Sequence, residues 1–181
     1  MDKGMKIKKN IVLCGFMGSG KTTVGALLAR TLGVPFVDLD ERIAEETGLS
    51  VSDWFLQRGE AAFRTIETEL CRALAEPGGQ VIAPGGGALL REPNVVNLKK
   101  NGEILFLDTS LSVIRRRLAA DKSRPLLNRP DREREMERLY YVRRPQYERI
   151  SDEIIPADDA PEAVVERILD WLRERGIHAG E

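Results

Sequence analysis

The sequence predicts an α/β fold in three layers, a parallel five-stranded sheet with helices on both faces. Two observations carry that expectation. Apolar runs of strand length alternate with segments of helical period, the pattern left by crossover connections between parallel strands. No repeat, low-complexity tract or linker divides the 181 residues, a length suited to one domain with an adequate core.

The candidate strands are NIVLCG, PFVDLD, GQVIAPG, GEILFLD and DEIIPA. Between them lie the helical patterns TVGALLARTLG, the stretch from Glu41 to Ala75, a short segment around Asn94 to Asn101, SVIRRRLAA and the closing PEAVVERILDWLRERG. The first strand runs directly into a glycine-rich turn. The second ends in Asp38 and Asp40, which a continuing strand would turn to the same side, since alternate residues share a face; a solvated turn is the plainer reading of the pair. In EAAFRTIETELCRALA, Phe63, Ile66, Leu70 and Leu74 mark one helix face, and Gly59 punctuates its start. The third strand is followed by three glycines, Gly85 to Gly87, and the fourth ends at Asp108.

Composition excludes several functions. A chain that is 42% hydrophobic and 31% charged is ordinary for a soluble globular protein. Its longest apolar stretches, such as IVLC and EILFL, are too short to span a bilayer. The apolar run behind the N-terminal lysines breaks at once into Gly15 and GSGKTT, so it lacks a signal-peptide core, and the cytoplasm is the expected compartment. Cys14 and Cys71 stand 57 positions apart without metal-ligand spacing, which predicts reduced, buried thiols. The single histidine, His178, argues against a histidine base or a His-rich metal site. A net charge of −1 gives no general reason to expect nucleic acid or an anionic membrane. Charge is nonetheless uneven. From Arg115 to Arg149 there are twelve Lys/Arg against six Asp/Glu, and from Ser151 to Glu181 three against nine. Such a basic segment suits either a solvated helical face or a surface that meets phosphate.

The most specific motif is GFMGSGKTTVG: Gly15, four residues, then Gly20, Lys21 and Thr22. This is the P-loop pattern, and it sits in its confirming context between an apolar strand and a helix. Glycines let successive N–H groups turn inward around a phosphate, and the helix N-terminus adds its positive end. Lys21 would reach the outer phosphates and the Thr22 hydroxyl would coordinate Mg²⁺. A P-loop needs a second metal carboxylate. QVIAPGGG supplies none, and both Asp38 and Asp108 close apolar strands; periodicity does not choose between them. Arg64, with Glu60 at i−4 and Glu67 at i+3, reads equally as part of a surface pair. Trp54 follows SVSD, a helix-capping pattern, and fits either the core or the neighbourhood of an acceptor.

Taken together, these residues resemble shikimate kinase, over nearly the whole chain and in order: GFMGSGKTT at 15 to 23, DLD at 38 to 40, GEAAFR at 59 to 64, GGG at 85 to 87, SRPLL at 123 to 127 and RRPQY at 143 to 147. The resemblance implies one domain over residues 1–181 with a P-loop kinase fold like that of nucleoside monophosphate kinases. An acceptor-binding region would occupy about 40–70 and a lid about 120–133. It implies transfer of the γ-phosphoryl group of ATP to the 3-hydroxyl of shikimate, with Mg²⁺ as cofactor. By the same resemblance Asp40, Lys21 and Arg124 are catalytic. Gly18, Ser19, Gly20, Lys21, Thr22, Thr23, Arg117 and Arg124 meet the nucleotide, and Thr22 and Asp38 serve the metal. Asp40, Arg64, Gly85, Gly86, Gly87 and Arg143 hold the acceptor. The R-x-P-x-Y spacing favours Arg143 over its neighbour Arg144. Asp158 and Asp159 depart from the polar or basic residues the family often places beside the adenine. The implied partners are small molecules only, and the chain is expected to act as a monomer. A related kinase for gluconate or a nucleoside monophosphate, or a nucleotide-dependent regulatory protein, are the competing readings.

Overall fold

The computed structural model describes residues 7–119 and 131–177. Strands β1 (Asn10–Cys14), β2 (Phe36–Asp38), β3 (Val81–Ala83), β4 (Gly102–Asp108) and β5 (Glu153–Pro156) form one sheet in the order β2-β3-β1-β4-β5. Every pairing is parallel, with Val12 opposite both Ile82 and Ile104. The expected three-layer α/β arrangement is therefore present.

Helices α1 (Lys21–Leu32), α2 (Leu39–Thr47), α3 (Val51–Ala75), α4 (Glu92–Lys99), α5 (Leu111–Ala119), α6 (Arg132–Ile150) and α7 (Pro161–Glu174) cover the sheet. Alternation along the strands divides the core into two layers. Val12, Cys14, Ile82, Ile104 and Phe106 point toward α2, α3, α4 and α6, where they meet Ile43, Phe63, Leu98 and Tyr147. Ile11, Leu13, Val81, Leu105 and Leu107 point to the other side, against Leu28 and Leu32 of α1 and Val164 and Ile168 of α7. Strands buried on both faces have no polar alternation to show, which is why they read as continuous apolar runs. The two thiols are buried as expected, and burial pushes both Cys14 and Cys71 up to about 12, so they remain protonated.

Three local details differ from the sequence expectation. The second strand ends at Asp38 rather than running through Asp40. Asp38 caps α2, its carboxylate accepting from the backbone N–H of Asp40 at 3.0 Å and of Glu41 at 3.5 Å. An aspartate that satisfies the first free amides starts a helix, so Asp40 lies in a helical first turn and strand alternation does not govern the pair. The segment from Glu41 to Ala75 holds two helices. α3 is capped by Ser50, whose hydroxyl accepts from Asp53 N–H at 3.1 Å, and it breaks at Gly59. Finally, the arginine-rich stretch is mostly the long helix α6, whose charged surface hides a buried stripe of Met136, Tyr140 and Tyr147.

Ser50→Ala is expected to lower global stability by about 1 kcal/mol through loss of the α3 cap, measured as a shift in the urea midpoint. An unchanged midpoint would mean that the amide of Asp53 finds another acceptor.

Candidate active site

In an open parallel sheet, ligands settle beyond the carboxyl ends of the strands where the strand order diverges. Here β1 is that point, with β3 on one side and β4 on the other. The P-loop leaves β1 and opens α1, and Gly20 stands at the helix N-cap with φ 95°, a left-handed backbone that favours glycine. A cleft of about 550 Å³ lies over it, within the usual range for ligand sites.

The cleft brings together most of the residues expected for the nucleotide: Gly18, Gly20, Lys21, Thr22, Thr23 and Arg117. Ser19 is buried behind the loop, and its hydroxyl lacks a hydrogen-bond partner among the described residues. The Lys21 ammonium donates to the carbonyls of Gly15 at 2.8 Å and Phe16 at 3.1 Å, folded over the loop it would neutralise phosphates in. Arg117 spans the cleft wall, donating to Gly18, Ser19, Ala157 and Asp159 carbonyls at 3.2–3.4 Å. Asp158 and Asp159 are both engaged nearby, Asp158 accepting from Ser110 N–H at 2.7 Å and Asp159 pairing with Arg167.

Of the two strand-end carboxylates, Asp38 faces this cleft and Asp108 does not. The Thr22 hydroxyl donates to Asp38 at 2.8 Å, which sets two hard oxygen ligands side by side at the phosphate cradle. Asp108 is instead gripped by Arg144 through two bonds, Nε at 3.0 Å and a terminal nitrogen at 2.6 Å.

Asp40 lines the same cleft, next to Gly85 and Gly86. A Cβ on Gly85 would stand 2.6 Å from the Asp40 carboxylate, so only glycine permits this approach. Arg64 lies beside the glycine turn, its guanidinium 3.0 Å from where a Cβ on Gly87 would be. One of its nitrogens donates to both oxygens of Glu67, at 2.9 and 3.0 Å; the group also bonds Glu60 at 3.3 Å and rests on the rings of Phe63 and Phe55. Glu67 is buried, and desolvation lifts its carboxyl above the ordinary glutamate range, against the downward pull of Arg64. The remaining side of the turn is closed by α6: Tyr147 donates to the Gly86 carbonyl, and burial pushes its phenol up while the nearby positive charge of Arg143 acts in the opposite direction. Its neighbour Arg144 turns to Asp108 and Glu148. Arg124 and most of the expected lid, residues 120–130, lie outside the described residues, as does His178.

A phosphate cradle, a carboxylate at its mouth and an arginine beside a glycine turn occur here in one chain order. The family model for shikimate kinase matches residues 17–173. The chain belongs to the shikimate kinase family. Its similarity to the shikimate kinase of Thermodesulfovibrio yellowstonii is 45% identity over 161 residues, 89% of this chain and 93% of that protein. Among solved structures, shikimate kinase from Acinetobacter baumannii in complex with shikimate has a TM-score of 0.86 at 35% identity, covering 92% of this chain and 94% of that one. The shikimate kinase of Aquifex aeolicus has a TM-score of 0.80 at 39% identity, with coverages of 92% and 98%.

Two residues of this shikimate kinase-family site escaped the sequence reading. Spacing makes Glu67 a surface partner of Arg64, yet it lies four residues after Phe63 and three before Leu70, on the apolar face itself. A carboxylate on that face was the available signal. Tyr147 stood in the RRPQY motif without a role, and its bond to Gly86 joins positions 61 apart, beyond any local pattern.

Proposed function

We propose that this protein transfers the γ-phosphoryl group of ATP to the 3-hydroxyl of shikimate, giving 3-phosphoshikimate and ADP, with Asp40 as the base. The observation that carries the reading is the placement of Asp40 in the same cleft as Lys21 and Thr22, beside a glycine turn that Arg64 adjoins and that Tyr147 bonds from α6. Nucleotide phosphates would rest on the backbone of Gly18, Ser19 and Gly20, with Thr23 in the first turn behind them, and Arg117 would lie along the adenine. The acceptor's carboxylate would be held by Arg64 and Arg143, each able to donate two bonds to it. Gly85, Gly86 and Gly87 would let the ring approach the backbone. The acceptor hydroxyl oxygen then attacks the γ-phosphorus, its proton passes to Asp40, and the bond to the β-phosphate oxygen breaks to release ADP. Lys21 stabilises the charge that develops, and Arg124 would join it from a lid at about 120–133.

Thr22 and Asp38 fit Mg²⁺, which takes one or two protein oxygens and completes its shell with water and phosphate. When bound, the ion neutralises charge on the phosphate oxygens. Action as a single-domain monomer in the cytoplasm belongs to the same proposal. No helix among the described residues is long and apolar enough to cross a membrane.

An ADP-release assay with ATP and Mg²⁺ against shikimate, gluconate, AMP and CMP tests the reading. Turnover is expected with shikimate. Turnover with gluconate or a nucleotide and none with shikimate would end it.

A further inference from the structure

Helix α6 carries two adjacent arginines of equal charge, and of the two Arg144 is bonded to a strand end, at Asp108. We infer that Asp108 and Arg144 are positioning residues, a clamp that fixes the rotation of α6 so that Arg143 faces the acceptor; the inference rests on the proposed role of Arg143.

Three side chains at i, i+4 and i+7, Tyr140, Arg144 and Tyr147, share one face of α6. Each is anchored to a strand end. Tyr140 donates to the Thr109 carbonyl at 3.1 Å, Arg144 grips Asp108 through two nitrogens, and Tyr147 donates to Gly86. Arg143 lies between these anchors, three residues after Tyr140 and four before Tyr147, close enough for its charge to act on the Tyr147 hydroxyl.

The helix needs such anchors at this level. Pro145 lies inside α6 and has no N–H to give the Tyr141 carbonyl, so the turn bearing both arginines lacks one of its own backbone bonds. Its orientation is therefore set by contacts outside the helix. Asp108 is a firm base for one: it closes β4, which is hydrogen-bonded to β1 and β5, and its carbonyl accepts from Ala157 N–H at 3.0 Å. A two-pronged guanidinium–carboxylate pair fixes direction as well as distance, which a point charge would not. The pair also spends the charge of Arg144 on Asp108, so a single guanidinium of the two is left for a carboxylate at the glycine turn.

Steady-state kinetics on Asp108→Asn, Arg144→Gln, Arg143→Ala and the Asp108→Asn/Arg143→Ala double variant test the clamp, with thermal midpoints as the control for folding. Asp108→Asn and Arg144→Gln should each raise KM for shikimate roughly tenfold, with KM for ATP and kcat within about twofold, because coupled contacts of this kind act through the residue they orient. Asp108→Glu, which restores a carboxylate, should recover most of the loss. In the double variant the Asp108 substitution should add little to Arg143→Ala. Should Asp108→Asn fail to fold, Arg144→Gln carries the test, since that side chain is over a third exposed. An unchanged shikimate KM in Arg143→Ala overturns the role of Arg143 and the clamp with it. A raised KM in Arg143→Ala alone, or fully multiplicative effects in the double variant, overturns only the clamp.

Discussion

Asp40→Asn is expected to lower kcat by roughly 10²- to 10⁴-fold, the usual contribution of a general base, while ATP affinity stays close to that of the unaltered protein. The substitution preserves shape in a place where shape is constrained. The Asp40 carboxylate lies against Gly85 so closely that a Cβ there would be 2.6 Å away, and an amide of nearly the same size fits the same space. What changes is proton chemistry, since an amide does not take the proton of the attacking hydroxyl. Local structure is spared as well. The cap of α2 is Asp38, so the helix keeps its two capping bonds, and losing one negative charge from its first turn costs about 0.3–1 kcal/mol. Quenched-flow or coupled assays give kcat, and calorimetric titration gives ATP affinity. An unaltered rate would remove Asp40 from the chemistry; a large loss of ATP affinity would place it with the nucleotide instead.

The parts of this site that were legible in the sequence are those built locally. GFMGSGKTT sets its own backbone, because glycine spacing and the following helix are contiguous, and the structure forms the loop where the motif stands. The five strands were legible because burial on both faces leaves continuous apolar runs. Their order was not: β3 joins β1 through contacts such as Gln80 N–H to Asn10, 70 positions apart, and no local pattern encodes that choice. The DLD pair shows how residues can reach the cleft by a geometry other than the one expected. Asp38 and Asp40 both reach the cleft, one from a strand end and the other from a helical turn, because capping interrupts the alternation that pointed to them. Asp108 is held by a partner 36 positions away, Arg144, which sequence spacing cannot see. α6 stayed hidden because its charges and Pro145 masked three buried residues spread over three turns.

Arg64→Ala is expected to have two separable consequences. Shikimate affinity should fall by about 1.5–3 kcal/mol, the value of a hydrogen bond to a charged group. Fold stability at pH 8 should fall as well, by about 1–3 kcal/mol, because Glu67 is buried and loses the guanidinium that bonds both its oxygens. The pH dependence tells the second effect from the first. The Glu67 carboxyl is already lifted by burial and pulled down by Arg64, so removing Arg64 lifts it further. A carboxyl whose folded pKa lies above its unfolded value, about 4.3 for glutamate, favours folding in its neutral form. The resulting penalty is absent below that unfolded value and grows as pH rises through the folded one. The stability gap between the two proteins should therefore narrow as the pH falls from 8 toward 5, measured by urea denaturation. Adding Glu67→Gln to Arg64→Ala removes the buried charge and should restore most of the stability without restoring shikimate binding. If the double variant instead regains shikimate affinity, Arg64 serves to neutralise Glu67, and the acceptor's carboxylate is held by Arg143 without it.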